Sequence, residues 1–218
     1  MVLKFYAPQF VGGGIAIVAL ALAEKQAAFE FVPINMAVKE HKTAEYMAMN
    51  PFGQVPAIND DGFAMYESRA ICRYLDERFA DQGATLVPKA MKERAVVEQA
   101  ISVESMTFSP PLSKVVGELV VKVRRGLTPD QALADEGLKE ISDKLDVYEV
   151  ILAKHNYLAG DNFTLADLVH YAYAPMLAEK GVDIMTVKER PNVARWWNEL
   201  MSRPTWVKLK AEGMKSTV

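Results

Sequence analysis

The stretch VLKFYAPQFVGGGIAIVALALAEKQAAFEFVPI, residues 2–34, decides the fold. Val2 to Tyr6 has the branched and aromatic content of a short strand and is stopped by Ala7-Pro8. Gly12-Gly13-Gly14 opens a helix running to about Lys25, and Phe29 to Ile34 (FEFVPI) is a second strand. Two strands joined by a helix of about a dozen residues make a right-handed βαβ unit. Ile15 to Ala23 is apolar, lies close to Lys4, and contains Ala19-Leu20-Ala21, which imitates a signal-peptidase site. Glu24 and Lys25 end the run after about three helical turns, too short to span a bilayer, so it reads as a buried helix.

Working outward, Asn35 to Asn50 is polar and irregular, with one helical turn around Thr43 to Met49. Ala57-Ile58 and Phe63 to Tyr66 are short strands joined across Asn59-Asp60-Asp61-Gly62, whose Asp-Gly pair signals a hairpin. Glu67 to Phe79 places Ile71, Tyr74, Leu75 and Arg78 at helical spacing. Asp81 to Pro88 (DQGATLVP) reads as a linker. Beyond Ala90 the chain offers no convincing strand: Met91 to Val123, Pro129 to Lys154, Leu165 to Lys180 and Pro191 to Met201 all read as helices. The expected architecture is therefore an α+β domain over residues 1–81 followed by an all-helical domain over residues 90–218.

Composition narrows the function. Of 218 residues, 25 are Lys or Arg and 28 are Asp or Glu, so the formal charge is −3; half the residues are apolar and the mean hydropathy is zero. This is the balance of a soluble globular protein and argues against a disordered chain, a collagen, or a strongly basic nucleic-acid binder. The single cysteine, Cys72, excludes an internal disulfide and a thiolate-rich metal site, and suits a reducing, cytoplasmic setting. His41, His155 and His170 stand too far apart in sequence to suggest a His-rich metal centre. No membrane partner is expected.

Four motifs in order carry a resemblance that covers nearly the whole chain: Asn50-Pro51-Phe52-Gly53-Gln54-Val55-Pro56-Ala57, Glu67-Ser68-Arg69-Ala70-Ile71, Phe108-Ser109-Pro110-Pro111, and Phe163-Thr164-Leu165-Ala166-Asp167-Leu168. Together they resemble a cytosolic glutathione S-transferase, with the phi class as the best fit. The resemblance implies a thioredoxin-like N-terminal domain holding glutathione as co-substrate, a helical domain shaping a hydrophobic second-substrate site, and a homodimer.

The residues themselves agree with a glutathione site. Val55-Pro56, cis in the family, would turn a main-chain edge toward an extended peptide, with Gln54 beside it. Glu67 and Ser68 stand at a helix N-terminus, where free N–H groups attract the γ-glutamyl carboxylate; plain helix capping is compatible with the same role. His41 and Lys42 fall where the family meets the glycine carboxylate, although a solvated pair is the simpler alternative. Thr164-x-x-Asp167 is a capping box, so Asp167 is expected to be internal and structural. Phe10, Val11, Met106, Phe108, Pro111 and Leu112 are the candidates for the second-substrate wall, with core packing as the alternative for each. Phe52 is a further candidate for a dimer interface.

One departure matters. The resemblance implies a serine in the first loop, and counting from the first strand its equivalent is Val11. Residues 1 to 42 contain no Ser, Thr or Cys, and their only hydroxyl is Tyr6, which the strand contains. The remaining candidates for stabilising a thiolate are the backbone N–H groups of Gly12, Gly13 and Gly14. These glycines do not make a nucleotide site, because Ile17 replaces the third glycine of a dinucleotide fingerprint and no Gly-Lys-Ser/Thr follows. No Cys-x-x-Cys is present for disulfide chemistry, and buried packing is the expected role of Cys72. Two functions stay open: a detoxifying transferase that joins glutathione to hydrophobic electrophiles or reduces an organic peroxide with it, and a ligandin that holds glutathione conjugates or apolar metabolites without turnover.

Overall fold

In the computed structural model, which describes residues 2–218, the opening stretch folds as β1 (Leu3–Ala7), α1 (Gly13–Glu24) and β2 (Phe29–Pro33). A short 3₁₀ turn (Glu40–Lys42) and α2 (Ala44–Met49) follow, then β3 (Ala57–Asp60), β4 (Phe63–Tyr66) and α3 (Ser68–Arg78). The four strands form one sheet in the order β2-β1-β3-β4, with β1 parallel to β2 and the other pairs antiparallel. The Asn59-to-Gly62 turn closes as the sequence predicts, Gly62 N–H donating to Asn59 Oδ1 at 2.8 Å.

The apolar run IAIVALALA is buried all round: Ile15 through Leu22 are each at most 6% exposed. α3 and α10 (Pro204–Glu212) pack against α1. This explains the absence of polar periodicity in the run, since a helix covered on every face has no solvent side. No helix among the described residues is long and apolar enough to cross a membrane.

α1 ends in a buried ion pair. Lys25 is 1% exposed, and its Nζ donates to Asp76 Oδ1 of α3 at 3.0 Å and to the Ala84 carbonyl at 2.8 Å. Asp76 Oδ1 also accepts from Leu86 N–H at 3.0 Å, while Gln82 Nε2 donates to the carbonyls of Lys25 and Gln26. The linker expected over Asp81 to Pro88 is therefore fastened to the end of α1 over much of its length.

The chain divides into two compact units, one running to Leu86 and including Pro204–Val218, the other Val87–Arg203. The helical domain expected to reach residue 218 thus stops earlier, and Met1 of the expected 1–81 domain lies outside the described residues. The reason is α10, unforeseen in sequence: it buries Trp206 and Leu209, and Thr205 donates its hydroxyl to Glu24 at the end of α1. The tail beyond α10 borders β2, with Thr217 N–H donating to the Phe29 carbonyl at 3.0 Å, Phe29 N–H to Thr217 Oγ1 at 2.8 Å and Phe31 N–H to Ser216 Oγ at 2.9 Å.

In the helical unit, α4 (Met91–Val103) and α5 (Ser109–Val116) are parts of one continuous helical run expected from Met91 to Val123, widened by π turns at Glu104–Phe108 and Gly117–Lys122. The first widening immediately precedes Pro110-Pro111, which have no N–H to give to the preceding turn. α6 (Gln131–Leu152) is a single helix. The segment expected as one helix from Leu165 to Lys180 is instead α7 (Leu165–Leu168), a 3₁₀ turn (Val169–Tyr171) and α8 (Ala174–Ala178), the last restarted by Pro175 at its N-terminus. α9 (Pro191–Ser202) completes the unit.

Asp167 is internal, as expected. Its carboxylate accepts from Thr164 N–H, Leu158 N–H and Trp196 Nε1–H, each at 3.0 Å, which joins the start of α7 to α9. Burial pushes its pKa up to about 6, against the pull of those donors.

Removing one member of the Lys25–Asp76 pair leaves a buried charge without its partner. Lys25→Met is expected to cost about 3–5 kcal/mol in urea unfolding, and Lys25→Met with Asp76→Leu clearly less than that. A second expectation concerns pH. The raised pKa of Asp167 means that its neutral form favours the folded state, a contribution fully present below about pH 4 and lost as pH rises through about 6. It amounts to about 3 kcal/mol, and Asp167→Asn should remove that slope from the stability–pH curve.

Candidate functional site

The residues singled out in the first half of the sequence meet at two helix N-termini and one loop of the first unit. Gly12 is the N-cap of α1 in an extended conformation, without a side-chain cap, and Gly13 opens the helix at φ +57°, where glycine carries no steric cost. The N–H groups of the first turn of α1 have no intrahelical partner. Val11 lies in the loop and Gly12 stands at the helix mouth, where the sequence has the glycines open the helix.

Gly14 approaches the start of α3 closely. A Cβ added there would stand 2.9 Å from Ser68 Oγ and 3.4 Å from Pro56 Cδ. The mouth of α1, the mouth of α3 and the Val55-Pro56 turn are thus brought together, and the Val55–Pro56 peptide is cis. Glu67, the N-cap of α3, has φ +69° and ψ 102°, an uncommon conformation for a residue with a side chain, and makes no capping bond with that side chain. Among the described residues, the Glu67 carboxylate, the Ser68 hydroxyl and the Val55 main-chain groups have no hydrogen-bond partner.

The loop supporting Val55 is braced from beneath. Tyr46 of α2 donates to the Gln54 carbonyl at 2.7 Å, and Asn50 Nδ2 donates to the same oxygen at 2.9 Å. Burial pushes the Tyr46 phenol well above its ordinary range, so it stays a neutral donor. Tyr46, Ile34 and Ala57 form a small apolar cluster against which Tyr6, Met49 and Val55 pack. That placement gives Tyr6 a packing role. The Gln54 carbonyl is taken from below, whereas its side chain is exposed and makes no hydrogen bond.

His41 and Lys42 lie in the 3₁₀ turn beside this loop. Gly53, at φ +56°, passes so close that a Cβ would be 2.8 Å from the His41 carbonyl and 2.9 Å from Lys42 Nζ. Lys42 Nζ donates to the Phe52 carbonyl at 3.0 Å. His41 Nδ1 is shielded from solvent and has no hydrogen-bond partner. The two residues expected as a pair therefore divide: Lys42 is engaged with the loop, and His41 is uncommitted.

The expected hydrophobic wall is only partly available. Phe10 and Val11 are half-buried in the loop before α1. In the helical unit Met106 is 79% exposed, but Pro111 is buried, and Phe108 and Leu112 are each 1% exposed. Phe108 stacks on Tyr148 with ring centres 5.3 Å apart and tilts against His170. Phe108, Pro111 and Leu112 are therefore interior residues rather than wall residues. Cys72, with its Sγ 3.5 Å from the Ile17 carbonyl, is buried, and burial pushes its thiol up to about 12. No cluster of three or more His, Cys, Asp or Glu able to hold a metal occurs among the described residues.

Tyr46, Asn50 and Gly53 went unassigned in the sequence reading. The available signals were Asn before Pro51, which favours a turn, and a glycine after Phe52.

Comparison with known proteins covers the same elements. Residues 12–77 match the family model for the glutathione S-transferase N-terminal domain, and residues 84–204 that for the C-terminal domain. Glutathione S-transferase F9 of Arabidopsis thaliana is 39% identical over 206 residues, 94% of this chain and 95% of its own. The crystal structure of glutathione transferase F7 from Populus trichocarpa superposes with a TM-score of 0.90 at 37% identity, covering 96% of this chain and 98% of the other. A glutathione S-transferase I bound with lactoylglutathione superposes at 0.88 with 35% identity, covering 97% and 99%.

The contact at Gly14 gives a direct prediction. Gly14→Ala forces Ser68 or Pro56 to move and is expected to cost roughly 1–3 kcal/mol in urea unfolding. Gly117→Ala, where no atom lies within 4 Å of the added Cβ, should be neutral or stabilising by up to about 1 kcal/mol.

Proposed function

Because the chain belongs to the phi class of the glutathione S-transferase family, which takes glutathione as co-substrate, we propose that it conjugates glutathione to hydrophobic electrophiles using main-chain donors at the mouth of α1. The observation that carries this reading is the approach of Gly14 to Ser68 Oγ and Pro56, with Ser68 Oγ and the adjoining Val55 main chain and Glu67 carboxylate all unpaired among the described residues. In the proposed pose the γ-glutamyl carboxylate meets Ser68 and the N-terminus of α3. Glu67 accepts from the ligand ammonium, and the cysteinyl backbone pairs with Val55 as an added strand would. Gln54 and His41 serve the glycine end, with the Lys42 ammonium nearby.

The sulfur then stands at the N-terminus of α1. Gly12, Gly13 and Gly14 offer N–H groups and the positive end of the helix dipole, which favour thiolate over thiol. The thiol proton leaves to solvent, the thiolate attacks the electrophilic carbon, a sulfur–carbon bond forms, and the leaving group departs with its electron pair. The chain's contribution is proximity and charge stabilisation. Phe10 and Val11 are the assigned contacts for the electrophile in this unit. The exposed Phe52, edge-on to Tyr66 at 5.8 Å, is assigned to contact with a second copy in a homodimer. A free thiol co-substrate and a single cysteine both fit a reducing, cytoplasmic location.

A second reading rests on one observation. The segment before His41 offers no Ser, Thr or Cys to the sulfur, which suits a protein that holds conjugates without turnover. Titrating the ultraviolet thiolate absorbance of bound glutathione separates the two. The transferase reading expects a bound pKa well below the roughly 8.5 of an ordinary thiol; an unshifted pKa would establish the holding role instead. Gly12→Ser, which sets a hydroxyl at the helix mouth, is expected to raise conjugation of 1-chloro-2,4-dinitrobenzene by about ten-fold or more, and Val11→Ser by much less. Ser68→Ala should weaken glutathione binding by about ten-fold or more through loss of a bond to a charged group.

A further inference from the structure

We propose that Gln9 is a positioning residue for conjugation: by one hydrogen bond to the C-terminal tail it holds the loop from which α1 starts, and so the N–H groups offered to the sulfur. This role rests on the transferase reading above. There the thiolate is stabilised by main-chain donors of Gly12, Gly13 and Gly14, so catalysis depends on how well the main chain itself is held. Three successive glycines have the freest backbone a chain can have. Their placement has to be imposed by neighbours.

Five residues, 8–12, connect β1 to α1. The loop leaves a fixed point, since the Ala7 carbonyl accepts from Ile34 N–H at 2.9 Å. Phe10 N–H then donates to the Pro8 carbonyl at 2.7 Å, a three-residue turn with Gln9 at its tip. From that tip Gln9 Nε2 donates to the Met214 carbonyl at 3.0 Å, 205 positions away in sequence. Both partners belong to the first unit.

The acceptor is firmly placed. α10 ends at Glu212, and Gly213, at φ +69°, donates its N–H to the Leu209 carbonyl at 2.9 Å, a left-handed close of the helix. The turn passes against the Gln9 amide: a Cβ on Gly213 would stand 3.2 Å from Nε2. Met214 is buried, and beyond it Ser216 and Thr217 are bonded to β2. At the opposite end of α10, Thr205 donates to Glu24. α10 therefore lies along α1 with a tie at each end, one to the last turn of α1 and one, through Gln9, to the loop before its first turn.

The test compares the full chain with two variants. Gln9→Met keeps the length and neutrality of the side chain without the donor, and Gly213→Val disfavours the left-handed turn and so moves the acceptor. Without glutathione, amide nitrogen relaxation of Gly12, Gly13 and Gly14 reads the tie by itself. Order parameters are expected at about 0.85 in the unaltered chain and falling toward about 0.6 in both variants. With glutathione and 1-chloro-2,4-dinitrobenzene at about pH 6.5, kcat and the acid dissociation constant of the bound thiol should each fall about five-fold, the scale of one neutral hydrogen bond. KM for glutathione should stay within about two-fold, and the double variant should be no worse than the poorer single one. Gln9 is exposed, so Gln9→Met keeps the test decisive if Gly213→Val does not fold. Unchanged order parameters in Gln9→Met would overturn the tie. Looser glycines with kcat and thiol acidity unchanged, or a raised KM with kcat preserved, would overturn the positioning role. An ordinary thiol pKa in the unaltered chain would overturn the transferase reading and this role with it, whereas a lowered pKa that both variants keep would overturn this role alone.

Discussion

A helix with no solvent face has to be covered on every side, and α1 imposes that requirement on the rest of the first unit. Burying eight consecutive apolar residues, Ile15 through Leu22, gives this unit much of its hydrophobic stabilisation. It also needs more neighbours than a βαβ-ββα stretch supplies. α3 covers part of the surface, and α10 comes back from more than a hundred residues away to cover another part. The division of the chain into a discontinuous first unit and an uninterrupted second one follows from this single demand.

The two ends of α1 then serve opposite purposes. Its C-terminal end is closed by Lys25, Asp76 and the carbonyl of Ala84. Its N-terminal end is left open, without a side-chain cap, beside an uncapped α3. Free N–H groups at two neighbouring helix mouths are costly to leave unmatched unless solvent or an anion satisfies them. The left-handed Glu67 and the tightly braced Gln54 carbonyl hold the surrounding chain in place, so the open ends do not close on each other.

What was legible in the sequence was mostly local. The hairpin at Asn59 to Gly62 and the capping box at Thr164 to Asp167 are written in residues within a few positions of one another, and both form. The motif around Val55-Pro56 and Glu67-Ser68 located the candidate site, because its residue order fixes its chemistry. α10 was missed because its reason for existing, the exposed flank of α1, is distant in sequence. The break between α7 and α8 ends where Pro175 restarts the helix, but the long apolar stretch hid it. Phe108, Pro111 and Leu112 were candidates for a wall with core packing as the alternative, and the residue order alone could not say which flank of the helix faces inward. Three successive glycines have no preferred backbone conformation, so the extended Gly12 and the left-handed Gly13 were not legible.

The tail along β2 has a consequence for colloidal behaviour. In β2 the residues whose N–H groups point away from β1 are Phe29, Phe31 and Pro33. The first two donate to the hydroxyls of Thr217 and Ser216, and the third has no N–H at all. A sheet border usually displays a row of unused donors that can recruit a strand from another molecule. Here each donor is spent or missing. The donors of this border are finished by side-chain oxygens, so in a concentrated solution a strand from another molecule meets no free N–H group on that side.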